Sequence, residues 1–132
     1  MNTLAYARKY CARGWSPVSI PRGQKGPTIK GWQNLRLKEA ELPEHFSNGN
    51  NIGLLLGEPS ANLVDVDLDC SIARQLAPEF LSVTDLISGR QSAHESHRWY
   101  TCEIATEKFI DPICEDRRKA MLVEIRAQAG KQ

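Results

Sequence analysis

The stretch Leu63-Val64-Asp65-Val66-Asp67-Leu68-Asp69 constrains the chain more than any other. Its strict alternation of apolar and acidic residues has the two-residue period of a β-strand, not the period of a helix. Val64, Val66 and Leu68 therefore enter a core together, while Asp65 and Asp67, with Asp69 in line, share the opposite face. Carboxylates so close repel each other unless a cation or a basic group stands between them. Two readings follow: a site for a hard divalent ion such as Mg²⁺ or Mn²⁺, which takes oxygen ligands, or an acidic strand end leading into a helix cap. A calcium-binding loop opens with the same D-x-D-x-D pattern. Here, however, Cys70 stands where that loop needs Gly and Leu76 where it needs Glu.

A strand of this kind needs neighbours, and the rest of the chain supplies them. Leu4, Ala7, Tyr10 and Cys11 recur at helical spacing, with Gly14 where a C-terminal cap belongs. Trp15 to Ile20 reads as a short strand, which Pro17 assigns to an edge or a strand end. Residues 21–31, PRGQKGPTIKG, form a loop, and Lys38 to Phe46 a short helix broken by Asn48-Gly49-Asn50-Asn51. Ile52 to Leu56 and Leu63 to Leu68 are expected to pair through the turn-rich GEPSAN. Ser71 is the expected cap of a helix to Leu81 with an apolar stripe of Ile72, Leu76 and Phe80. Further strands are expected near Thr84 to Ile87, His97 to Cys102 and Leu122 to Arg126, with a charged turn, CEDRRKA, between the last two. The fold class is therefore α+β with a mostly antiparallel sheet.

At 132 residues, 41% hydrophobic and 25% charged, the chain is one domain with material for a real core. No apolar run approaches the roughly 20 residues of a membrane span, and the start has no apolar leader segment. Cys11, Cys70, Cys102 and Cys114 lie far apart without a CxxC pair. They suggest reduced thiols and a cytoplasmic location instead of a disulfide scaffold or zinc ribbon. The net charge of +1 conceals a division. Residues 1–38 hold eight basic side chains and no acidic one, whereas the remainder holds nine basic and sixteen acidic. Such asymmetry suits an anionic ligand gripped by one part of a domain while another part holds cations, and it equally suits a solvated first helix.

Three further segments carry candidate chemistry. In Met121-Leu122-Val123-Glu124-Ile125-Arg126, Val123 and Ile125 face inward, leaving Glu124 on the other face with Leu122 and Arg126. Glu124 is either a third carboxylate for the Asp65 and Asp67 cluster or an exposed strand residue. Ser88 to Tyr100 is a polar, Gly-containing loop running into an aromatic strand. His97 there could contact a phosphate or a reacting hydroxyl, and Arg90 and Arg98 add charge for an anion. A zinc pair of His94 and His97 lacks matching Cys or His partners. The basic loop with Arg22, Lys25, Lys30 and Trp32 can wrap phosphates, although neither GxxxxGK[ST] nor GxGxxG occurs.

These segments, in this order, resemble the N-terminal domain of bifunctional DNA primase/polymerases (prim-pol), of the archaeo-eukaryotic primase superfamily, many of whose members come from phages, prophages and plasmids. The matching stretches are AYARKYCARGWSPVSIPRGQKGPTIKGWQN, NIGLLLG, LVDVDLD, SGRQSAHESHRWY and VEIRAQAG, which together span nearly the whole chain. The resemblance implies an RRM-like catalytic unit joined to a small N-terminal α/β unit. It implies nucleotidyl transfer from NTP or dNTP to a 3′-hydroxyl with two Mg²⁺ or Mn²⁺ ions, bound by Asp65, Asp67 and Glu124. His97 would help hold the incoming nucleotide, aided by Arg98, Arg90, Lys25 and Lys30. Implied partners are nucleoside triphosphates and a single-stranded template or primer-template, with a helicase domain or protein as a further candidate. The family's histidine sits in a Ser-x-His pattern, whereas here Glu95 holds the Ser position and Ser96 directly precedes His97. The family's domain also continues past the VEIRAQAG-like strand, so residues 1–132 are expected to be a domain incomplete at its C-terminal end. The rival readings are a degenerate nucleotide- or DNA-binding module and a metal-dependent nuclease.

Overall fold

The computed structural model describes residues 2–46 and 49–128. Asn48 of the expected helix break and Ala129-Gly130 of the last matching stretch lie outside the described residues. The first helix, α1 (Thr3–Ala12), starts where the Asn2 side chain accepts a hydrogen bond from the Ala5 amide. It stops where Gly14 turns left-handed at φ +77° and the Trp15 amide closes on the Tyr10 carbonyl. Strands β1 (Ser16–Ile20) and β2 (Asn51–Leu55) pair antiparallel, with the short α2 (Leu42–His45) between them in sequence. Ala7, Leu37, Leu42 and Phe46 form the core of this N-terminal unit.

The second unit is a five-stranded antiparallel sheet in the order β4-β5-β3-β7-β6. Its strands are β3 (Leu63–Leu68), β4 (Ile87–Arg90), β5 (Ala93–Thr101), β6 (Glu107–Ile110) and β7 (Met121–Arg126). Helix α3 (Ser71–Phe80) follows β3 and crosses the back of the sheet. A central β3 flanked by β5 and β7, with β4 outside β5, is the arrangement of a split β-α-β unit. The architecture is α+β, as expected. Where such a unit carries a second helix, residues 102–120 provide β6 and a 3₁₀ turn.

Several expectations need correction. The expected strands at Ile52–Leu56 and Leu63–Leu68 are present as β2 (Asn51–Leu55) and β3 (Leu63–Leu68), but β2 pairs with β1 and β3 pairs with β5 and β7. A single bridge between Gly57 and Leu63 is all that joins the two stretches. Cys70, not Ser71, caps α3, its sulfur accepting from the Ala73 amide. The stripe Ile72, Leu76 and Phe80 faces outward, at 64%, 47% and 80% exposure. Ala73, Ala77 and Leu81 pack on Val64, Val66 and Leu68 instead, and the outward stripe lines an open apolar groove with Phe109, Leu122 and Val123. Residues 88–96 are not a loop but the greater part of the β4–β5 hairpin.

Candidate functional site

All six residues of β3 are buried, as befits a central strand with neighbours on both sides. Val64, Val66 and Leu68 enter the core against α3. On the other face, register sets Asp67 directly between His97 of β5 and Glu124 of β7, and Asp65 between Trp99 and Arg126. Cross-strand partners share a face, so the expected carboxylates and imidazole do converge. Carboxylate oxygens of Asp67, Asp69 and Glu124 lie within 4.8 Å of one another. Among the described residues, this is the group of potential metal ligands. Asp65 is not in it.

Asp65 instead receives a hydrogen bond from His97 Nδ1, 3.0 Å from Oδ1 and 3.1 Å from Oδ2. A carboxylate only accepts, so Nδ1 carries the proton and Nε2 is the ring nitrogen that Asp65 leaves for a ligand. Hydrogen bonding to Asp65 raises the His97 pKa above its ordinary value against the opposing pull of burial. Arg126 completes the network: its Nε donates to Glu124 Oε2 at 3.0 Å, Nη2 contacts Asp67, and Nη1 is 3.5 Å from Asp65. Burial pulls its pKa down, but Asp67, Glu124 and Asp65 outweigh this and raise it. Burial also pushes the Asp67 and Asp69 carboxyls up, despite Arg126 and His97.

The donor set fits a hard divalent cation. It is all oxygen, and Glu124 Oε1 is buried and makes no hydrogen bond, with Lys108 Nζ 3.3 Å away. Beside the carboxylates opens a polar pocket of about 410 Å³ lined by Lys25, Arg74, Arg90, Arg126, Ser96 and His97. Of the expected anion-binding residues, Lys25 and Arg90 line it and Lys30 does not. Arg98 pairs in register with Val66, which puts it on the core side of the sheet, buried and with Nε unpartnered. Exposed His94 belongs to a separate cleft beside Ile87, Ser88 and Gly89.

Sequence reasoning did not select Asp69, Arg74, Lys108 or Arg126 as site residues. For Arg126 the signal was present, since it lies two residues after Glu124 on the same strand face. Asp69 continues the alternation of β3 but lies just past the strand end. Arg74, one turn into α3 with Nη1 donating to the Leu68 carbonyl, has no sequence cue.

A five-stranded antiparallel sheet carries an oxygen-donor cluster on one face beside a basic pocket, a combination whose chemistry suits a divalent cation and an anionic ligand. The chain belongs to the family described as the N-terminal domain of bifunctional DNA primase/polymerases, whose profile matches residues 7–131. It is thus a primase/polymerase-type domain, of a family that is metal-dependent in general and binds nucleotides and DNA. No curated protein and no solved structure matches the chain. Among the described residues, no helix is long and apolar enough to cross a membrane.

Proposed function

We propose that the domain performs nucleotidyl transfer in a phage, prophage or plasmid replication protein working beside a helicase, joining NTP or dNTP units to a 3′-hydroxyl with release of pyrophosphate. The observation that carries this reading is the meeting of Asp67, Asp69 and Glu124 at the rim of a pocket with four cationic side chains. Mg²⁺ or Mn²⁺ would be held by these three carboxylates. When bound, such ions neutralise phosphate charge and acidify an attacking hydroxyl, and chemistry of this class uses two of them.

The remaining roles belong to the chain's own groups. Lys25, Arg74 and Arg90 bind the triphosphate as fixed positive charge, without reorganising as charge develops. Asp65 orients His97, so that Nε2 donates to a phosphate oxygen while Nδ1 stays committed to the carboxylate. Arg126 holds Asp65, Asp67 and Glu124 in one arrangement, which keeps three buried carboxylates from separating. Arg98, on the far side of the sheet, has no part in ligand binding.

The test is a titration of labelled triphosphate with Mg²⁺ or Mn²⁺, followed by primer extension. Saturable, metal-dependent binding and extension are expected in the wild type, and both are expected to vanish in Asp67→Ala. A nuclease would cut DNA without saturable triphosphate binding. Extension that survives in Asp67→Ala would refute the assignment.

A further inference from the structure

A second cleft adjoins the site, between α1 and the β4–β5 hairpin. Its volume is about 250 Å³, and it is lined by Tyr10, Arg13, Trp15 and Trp99 together with Leu54 and Leu86. Tyr10 and Trp15 stack with ring centroids 5.7 Å apart, and the Arg13 guanidinium lies 5.3 Å from the Trp15 ring centre. Trp99 Nε1 donates to Ser88 Oγ, which holds the second indole in place. All three rings are only half-buried, and no acidic side chain lines the cleft.

The cleft lies next to the carboxylate face. Trp99 is the register partner of Asp65 and lies two residues from His97, their rings 6.2 Å apart. Tyr10, Arg13 and Trp15, which line the cleft, belong to the basic, acid-free first 38 residues. Half-exposed aromatic rings beside an arginine, without acidic groups, have the chemistry that single-strand recognition uses. Bases stack on such rings while a neighbouring cation meets a phosphate.

We propose that this cleft takes an unpaired base of single-stranded DNA, stacked against the Trp15 and Trp99 side chains with its phosphate on Arg13, and leads that strand toward the carboxylates. The proposal rests on the polymerising function proposed above, so its test is made without the metal site. Binding of a fluorescent oligothymidylate is measured by anisotropy in EDTA, with tryptophan fluorescence as a second readout. Wild type is expected to bind with quenching of tryptophan emission and to prefer the single strand over a duplex of equal length. Trp15→Leu, which keeps apolar packing but removes the aromatic face, is expected to weaken binding about ten- to hundred-fold, and Trp15→Phe to restore most of it. Exposed Arg13, changed to Ala, should lower the salt slope of binding by about 0.7.

Unchanged affinity in both Trp15→Leu and Arg13→Ala, equal binding of duplex and single strand, or no binding by the wild type at low salt would overturn the proposal. Should Trp15→Leu melt before measurement, Arg13→Ala and Trp15→Phe decide, because the first touches only an exposed side chain and the second keeps a ring. Triphosphate binding by the wild type in Mn²⁺ reads the polymerising function separately. Its failure would sink that reading and leave the strand-binding result standing.

Discussion

Replacing Arg126 with Met tests how the carboxylate face is held together. The substitution keeps an apolar stem of similar length and removes one charge. In the native chain that charge touches Asp65, Asp67 and Glu124, which are 3%, 7% and 5% exposed. Without it, the cation nearest Asp67 is His97, with Nδ1 3.6 Å from Oδ1, and only Lys108 remains on Glu124. Removing one partner of a buried ion pair costs about 3–5 kcal/mol. The lower end applies, since a quarter of the Arg126 side chain meets water. About 3 kcal/mol corresponds to a fall of about 10 °C in melting temperature for a domain of this size. The assay is thermal denaturation followed by circular dichroism, in EDTA and again in Mn²⁺. Because a divalent ion on Asp67, Asp69 and Glu124 replaces the lost charge, Mn²⁺ should raise the melting temperature more in Arg126→Met than in wild type. A variant that melts within about 2 °C of wild type in EDTA, or gains nothing extra from Mn²⁺, would refute the argument.

Asp65→Asn removes the main cause of the raised His97 pKa, so the imidazole titration followed by NMR should move to lower pH. A midpoint that stays in place would show that Asp65 does not govern the ring. In EDTA, stability should fall as the pH rises from about 6 to about 8. His97, raised in the folded state, contributes fully below its unfolded value of about 6.5 and loses that contribution as pH rises through its folded value. Asp67 and Asp69, also raised, act in the same direction at lower pH, from their unfolded value of about 4 upward. Urea midpoints across this interval check it, and a rising midpoint would contradict it. Gly57→Ala should cost at least about 3 kcal/mol, read by urea denaturation. Gly57 sits at φ +76°, and an added Cβ would lie 2.3 Å from the Ala127 carbonyl oxygen.

The alternation in β3 and β7 was legible because it is local. Once those strands lie side by side, Asp67, Glu124 and Arg126 must share a face. Partner choice is not local in that way. Nothing in GEPSAN distinguishes a hairpin from a turn that passes the chain between sheets, and it is the backbone at Gly57, Ala61 and Asn62, all at positive φ, that makes it the second. Periodicity was equally blind on α3. Ile72, Leu76 and Phe80 and the set Ala73, Ala77 and Leu81 have the same spacing, and close approach to the valines of β3 selects the set with two alanines. Strand β6 has four exposed residues and no alternation to reveal it. Whether Asp65 or Asp69 joins the metal-ligand group depends on which side chains Arg126 and His97 engage, a matter of tertiary contact that no strand pattern encodes.

Strand β7 lies inside the sheet, between β3 and β6, although among the described residues it is the last strand in sequence. During synthesis, β3 can find β5, and β5 can find β4, while β7 is still unmade. Until residue 126 has emerged, one side of β3 and all of β6 lack their ladders, and Asp65 and Asp67 wait without Arg126. Completing the acidic face needs a contact spanning nearly half the chain, and contacts of such range form slowly. A nascent chain stalled before β7 presents like charges and an open strand edge, the combination most exposed to misassembly and proteolysis.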